Sequence, residues 1–328
     1  MSPLRSISGR SLGKLLESFK TSTLGQGFGS GGSSEVAVGG VSYLGGNNYH
    51  VFVEPGNFVL NTPKTVDYIV VGGGGGGGCY GPGGGAAGGA GAGGVLYGSI
   101  LLSAGTYPVV VGQGGAGGDK TQPTPNRNGT PGGHSQFHTI RAEGGGHGAY
   151  YSAQGGNGGS GGGSSYGGGI GLGNYVAGTN TPATPGQGYN GNGGTTWVGG
   201  GGGGAGGDAL ADATANGAGG TGGPGLTIPG WSADTIYDNA PSELQTTLTS
   251  SWKTTVRVSG FTIAGGGSGG IYSGSTGPVK GATPGGGGAG AWSTDAAGDG
   301  VIYTGSGGGG AENSPGGAGG HGIVIIKY

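Results

Sequence analysis

Cysteine is nearly absent from this chain. One residue, Cys79, in 328 excludes an intrachain disulfide framework. Charge is scarce too. Asp, Glu, Lys and Arg make up 8% of the residues and the formal net charge is −2, so the basic footprint of a nucleic-acid-binding protein is missing. No apolar run approaches the roughly 20 residues that a membrane-spanning helix needs. The N-terminus carries basic residues but no apolar signal-peptide centre. With Met1 in place, the expectation is a protein not exported through a cleaved leader.

Chemistry-bearing motifs are equally thin, and the expectation is a non-enzymatic chain without cofactor or metal. His134 and His138 are four apart in a strand-like stretch, with no Cys, Asp or Glu at ligand spacing. Asp295 and Asp299 flank Ala-Ala-Gly and match no calcium loop, and no nine-residue calcium repeat occurs in the glycine runs. Gly9-Arg-Ser-Leu-Gly-Lys14 has the wrong spacing for a phosphate loop. Asn128-Gly-Thr130 spells a glycosylation sequon and nothing more. No nucleophile–base pair or paired carboxylates stand out.

What the chain has is glycine, 101 residues of it, in runs where two glycines precede one other residue. Gln113, Ala116 and Asp119 keep that register; so do Ala218, Thr221 and Pro224, and Pro315, Ala318 and His321. So much Gly and Pro normally indicates low-complexity disorder. Collagen requires glycine at every third position with proline-rich pairs between. Here the pattern is inverted, and only 16 prolines are present. A period of three matches the polyproline II helix, at about three residues and 9 Å per turn. In such a helix the spaced side chains share one face and the other two faces are bare backbone. Antiparallel glycine helices could then bond laterally, each N–H reaching a neighbour's carbonyl, which answers the demand that buried backbone groups be paired.

Strand-like segments interrupt the glycine. They are Tyr49–Val53, Phe58–Leu60, Val66–Val71, Val95–Leu102, Tyr107–Val111, Gln136–Ala142, Val256–Ile263 and Ile323–Tyr328. Glu54-Pro-Gly-Asn57 is a turn signal. The expected fold is mainly β plus polyglycine II, with a short N-terminal α-helix. A β-strand anchor region would carry a packed bundle or sandwich of antiparallel polyglycine II helices. Residues 1–20 read as an attachment helix, because Leu12, Leu15, Leu16 and Phe19 fall on one helical face behind a possible N-cap at Ser11. Residues 21–35 read as a Gly/Ser linker, 36–71 as the β-region, and 72–328 as the glycine-rich domain. That domain contains an insertion over 228–255 which is polar, aromatic and poor in glycine.

If the chain alternates between a strand end and a loop end, residues 174–185, 208–216, 271–284 and 311–315 fall at the loop end. Residues 195–198, 226–263 and 292–305 then fall at the strand end. That alternation puts all four tryptophans, Trp197, Trp231, Trp252 and Trp292, among the strands.

Several segments together resemble a known family. They are Tyr49-His-Val-Phe52, Val66-Asp-Tyr-Ile-Val-Val-Gly-Gly-Gly74, Gly93-Gly-Val-Leu96, Val109-Val-Val-Gly-Gln-Gly-Gly-Ala-Gly-Gly118 and Gly319-Gly-His-Gly-Ile-Val-Ile-Ile-Lys-Tyr328. Over about residues 38–328 the chain resembles the glycine-rich domain of tailed-bacteriophage tail-fibre proteins, and is similar in kind to the polyglycine II sandwich tip adhesins of T-even-like phages. The resemblance implies a virion protein at a tail or fibre tip, made in the host cytoplasm, whose loops bind a host-surface protein or polysaccharide. The N-terminal helix would dock on another tail or fibre protein. Candidate receptor-binding residues at the loop end are Tyr80, Lys120, Asn126, Arg127, Tyr150, Tyr151, Tyr175 and Tyr272, since aromatics on a stiff scaffold offer contact area at low entropy cost. The same tyrosines could instead only cap the glycine bundle. A tail or capsid decoration protein, or a glycine-rich extracellular filament subunit, remain the alternatives.

Overall fold

The β-branched runs lie side by side at the centre of an antiparallel sheet. The structure is a computed structural model and describes residues 36–44, 47–81, 84–123, 127–165, 169–173, 187–195, 197–210, 217–258, 260–274 and 277–328. The expected attachment helix and linker lie outside the described residues. The strands are β1 (Ala37–Val38), β2 (Val41–Leu44), β3 (Asn48–Phe52), β4 (Gly56–Leu60), β5 (Lys64–Val71), β6 (Val95–Leu102), β7 (Gly105–Val110), β8 (Ser135–Phe137), β9 (Ile140–Ala142), β10 (Leu226–Thr227), β11 (Thr262–Ile263) and β12 (Ile323–Lys327). One five-stranded sheet has the order β1-β4-β7-β8-β9 and the other β2-β3-β12-β5-β6, every pair antiparallel. β10 and β11 form a small ribbon. The chain is therefore mainly β, with two short helices among the described residues.

Each strand's alternation assigns its two faces. Val324 and Ile326 of β12, with Val66 and Val70 of β5, meet Phe58, Leu60, Val109 and Phe137 of the other sheet in a dry core. Ile323 and Ile325, with Ile69 and Val71, face the opposite way into a second core. β12 is buried at every position for this reason, and its unbroken Ile-Val-Ile-Ile run is what a strand covered on both faces requires. Glu54-Pro-Gly-Asn57 does not close a hairpin. It carries the chain from β3 in one sheet to β4 in the other.

The second core is roofed by the insertion. Helix α1 (Ala233–Asp238) starts at Ser232, whose Oγ accepts from Thr235 N. Helix α2 (Ser242–Val256) buries Leu244, Leu248, Trp252 and Val256, one residue per turn on one face. It is interrupted at Thr249, at φ 66°, where Thr249 Oγ1 accepts from Trp252 N and re-caps the second half. Lys253 ties the helices together, reaching Asp238 at 2.7 Å and Asp234 at 3.2 Å. The expected strand over Val256–Ile263 is thus corrected. Val256 ends a helix, and only Thr262–Ile263 pairs in a sheet, because the four-residue spacing of the apolar side chains favours the helix against a flat apolar floor.

Backbone bonding in the glycine segments has a period of three. Gly72, Gly75 and Gly78 donate to Gly94, Gly91 and Gly88; Gly73 and Gly76 donate to Gly133 and Thr130; Gly74 and Gly77 donate to Gly320 and Gly317. The same run accepts from Gly115 and Gly118, from Gly145 and Gly148, and from Gly308 and Ala311. Its donors thus reach three antiparallel neighbours and its acceptors three parallel ones. A methyl group on Gly73, Gly74, Gly75, Gly76 or Gly77 would lie closer than the 3.0 Å that real Cβ atoms keep, and in each case the nearest atom is a backbone carbonyl oxygen. Backbones this close leave no room for a side chain.

Two histidines of this lattice, His147 and His321, have their pKa lowered by burial. His321 Nδ1 accepts from Gly114 N at 2.9 Å, so it must stay unprotonated to keep that bond. The folded value lies below the ordinary 6.5, so the unfolded chain binds more protons between the two. Stability is therefore complete above about pH 6.5 and falls as the pH drops below it. In thermal melts between neutral pH and pH 5, His321→Asn should lose less stability on acidification than the parent. An equal loss would remove His321 from the account.

Candidate functional site

The glycine segments lead away from the sheets, and their turns gather at the far end. Backbone and side-chain bonds link them into one surface. Cys79 N donates to Arg127 O at 3.0 Å, Gly81 N to Glu312 O at 2.6 Å, Tyr272 N to Trp197 O at 2.9 Å and Asn313 N to Ser293 O at 3.0 Å. Lys120 Nζ reaches Asn313 O at 3.0 Å.

Two aromatic groups dominate this end. Tyr80, Tyr150 and Tyr151 form a triangle with ring centroids 5.6–5.9 Å apart. Arg127 lies against it, its guanidinium carbon 5.7 Å from the Tyr150 ring centroid, while Nη1 donates to Tyr80 O and Nε to Gln122 O. Tyr150 N donates to Asn128 Oδ1 at 2.6 Å. The second group is Trp197 stacked on Tyr272, centroids 4.8 Å apart and planes 26° apart. Gly84 and Gly85 run between the groups. A side chain at Gly84, where φ is +86°, would meet Trp197 and Tyr272, and one at Gly85 would strike the Tyr80 ring. Trp292 stands beside them, bridged to Ile271 and 46% exposed.

Of the residues singled out in the sequence, Tyr80, Lys120, Arg127, Tyr150, Tyr151 and Tyr272 all lie at this end; Asn126 and Tyr175 are outside the described residues. Their exposure differs. Tyr151 is 45% exposed and Lys120 is exposed, whereas Tyr80 is buried and supports the other two rings. Trp197 and Trp292 were expected among the strands, and the structure places them here. Trp231 and Trp252 are at the sheet end.

The alternation fails at Gly158–Ser160. Gly156 N donates to His147 O and Gly159 N to Gly144 O, which marks a short leg back toward the sheets. After a bend the chain turns outward, with Ser160 O and Gly163 O accepting from Gly146 N and Ala149 N. Gln187 O accordingly accepts from Val95 N at the sheet end. A turn built of Gly-Gly-Ser inside a glycine run has no sequence mark to separate it from the run.

The ionisable groups described at the far end are held by burial or by local hydrogen bonds. Burial pushes the Cys79 thiol up to about 11, so it stays protonated and a poor nucleophile. The nearly buried Glu312 carboxylate accepts from Ser273 N at 3.0 Å and Ser273 Oγ at 3.2 Å, and burial raises its pKa. Asp119 binds Thr121 N and Oγ1, which lowers its pKa and closes its own loop. Among the described residues, no group of three His, Cys, Asp or Glu could hold a metal, and no helix is long and apolar enough to cross a membrane.

Fold and tip together define a protein in which sheets anchor a glycine lattice that carries aromatic turns. A family model described as a glycine-rich domain matches residues 52–328, and the chain belongs to that family. No curated protein matches it.

Proposed function

We propose that this chain is a non-enzymatic bacteriophage virion protein, an adhesin at a tail or fibre tip that presents its aromatic end to the host surface. The observation that carries the reading is the aromatic end itself. Tyr151 and Trp292 are exposed beside the half-buried Tyr150, Trp197 and Tyr272, at the end of the molecule farthest from the sheets. Such rings give a binding surface large area at little entropy cost, and their faces suit sugar rings as well as protein side chains. We read the glycine segments as polyglycine II helices. The period-three bonding supports this reading, as does the lack of space for a Cβ at most of the inner glycines. The lattice would act as a stiff stalk. The N-terminal segment, with Leu12, Leu15, Leu16 and Phe19, would attach the chain to another tail or fibre protein, and the product would be assembled into virions from the host cytoplasm.

The burial of Tyr80 favours a second reading, a tail or capsid decoration protein whose tyrosines only seal the lattice. Adsorption separates the two. Particles carrying Tyr150→Ser, Tyr151→Ser and Trp197→Ser together should adsorb about tenfold or more slowly, since truncating aromatic anchors typically costs 2 kcal/mol or more. Normal adsorption by particles that incorporate the triple variant in full would sink the adhesin reading and leave the decoration role.

A further inference from the structure

At the sheet end, the outer edge of β6 beyond Val95 has no strand partner among the described residues. β6 is the last strand of its sheet, and among the described strands it pairs with β5. Val95 N points outward to Gln187 O. By the alternation of an antiparallel ladder, the backbone groups of Tyr97, Ser99 and Leu101 point outward too, and they find no backbone partner among the described residues. Folded proteins guard such edges with charged residues, proline, bulges or a covering element. Val95–Leu102 contains no charge and no proline, and its register against β5 runs without a bulge. Leu101 is 74% exposed and Tyr97 44%.

A cavity of about 180 Å³ opens beside this edge, walled by Tyr97 and Ser99 on one side and by Trp231 and Lys327 on the other. Asp67 and Lys327 are register partners on β5 and β12 and both face it. Lys327 is 9% exposed. Its Nζ donates to Gly230 O at 2.8 Å and lies 4.1 Å from the Trp231 ring centroid. Among the described residues no carboxylate comes within ion-pair distance of it, and burial lowers its pKa against the smaller opposing effect of the Asp67 charge. Asp67 accepts from Ser99 Oγ. The cavity therefore offers an ammonium donor and a carboxylate acceptor that feel each other's charge but are not in ion-pair contact.

We propose that the β6 edge and this cavity receive an extended, uncharged segment of a partner chain, which adds a strand to the sheet and places an Asn or Gln side chain in the cavity. Main-chain bonds to Tyr97, Ser99 and Leu101 would supply affinity, and the pocket for an alternate side chain would supply specificity. A side-chain amide suits this pocket because it donates to Asp67 and accepts from Lys327 at once. A carboxylate would be repelled by Asp67 and an ammonium by Lys327. The proposal stands independently of the aromatic end, which lies across the molecule.

The probe is a labelled, capped peptide of alternating Thr and Val with one central Asn, titrated with the full chain by fluorescence polarisation. The Asn peptide should bind about tenfold or more tightly than versions with central Asp or Lys, the difference a charge-assisted hydrogen bond commonly makes. N-methylation of its edge-facing amides should abolish binding. Leu101→Lys should weaken it about tenfold by charging the edge while leaving the melting temperature unchanged, because Leu101 is mostly exposed. No saturable binding by any peptide, or equal binding by all three, overturns the proposal. So does a concentration-dependent dimer in sedimentation that Leu101→Lys abolishes, since that assigns the edge to a second copy.

Discussion

Gly76→Ala should remove more than about 3 kcal/mol of stability, the upper range for overpacking a well-filled interior. Gly76 sits inside the lattice, donating to Thr130 O and accepting from Gly148 N, both at 2.9 Å. The added methyl would overlap Ala116 O and C, which are backbone atoms of a neighbouring segment. A flexible side chain could rotate away from such a clash. A backbone bonded on both sides can only shift as a unit, and Gly115 N is itself bonded to Gly74 O at 2.8 Å. Relief at one site therefore strains the next. Domains of ordinary stability hold only about 5–15 kcal/mol in all, so one methyl in the lattice takes a large share of it. The control is Gly281→Ala. Nothing lies within 4 Å of a methyl there, and the expected change is within about 0.5 kcal/mol. Denaturant melts of both variants test the pair. If Gly76→Ala melts with Gly281→Ala, the close approach of the backbones has no energetic meaning.

This sensitivity bears on function. Where the backbones of this lattice touch, as at Gly73–Gly77, no side chain fits, while small residues such as Ala87, Ala90 and Ala92 are buried at other positions of the glycine segments. Gly84 and Gly85 show the boundary, since they are the last bare positions beneath the rings of Trp197, Tyr272 and Tyr80. Beyond them the chain admits Tyr, Trp, Lys and Arg. A scaffold with this division carries its large aromatic and charged side chains on the turns and packs bare backbone between them.

The strands were legible because their signal is local. Alternation and β-branched runs mark β5, β6 and β12 without reference to anything else. That β12 inserts between β3 and β5 is not local, and shows only as a run apolar on both faces. The aromatic end was half legible. Tyr80, Tyr150 and Tyr272 each come one residue after a marked glycine run. Trp197 and Trp292 depended on counting every reversal, and the count broke at Gly158–Ser160, where the turn and the run around it are written with the same residues. The insertion was visible as a change of composition. Its role was not, because Leu244, Leu248, Trp252 and Val256 form a stripe that means little until a sheet face lies opposite.

Trp252→Ala tests that stripe, and should destabilise the protein by about 3–5 kcal/mol, the usual cost of truncating a buried aromatic. Trp252 is fully buried, packs edge-on against Phe261 at 6.1 Å, and donates Nε1–H to Tyr303 O at 2.9 Å. That bond joins the helical roof to the turn that follows the Gly298–Gly300 segment, so losing it disturbs both. Trp252→Phe separates the two contributions. It keeps most of the packing and gives up the hydrogen bond, which should cost about 1–3 kcal/mol once the Tyr303 carbonyl is left unpaired. The aromatic end is remote from this site and carried by other segments. In a Trp252→Phe protein that folds, host adsorption through the proposed aromatic end should therefore be unchanged. A drop in binding that scales with the loss of stability would mean that the sheet end and the far end form one cooperative unit, and that the lattice transmits strain along its length rather than isolating its ends.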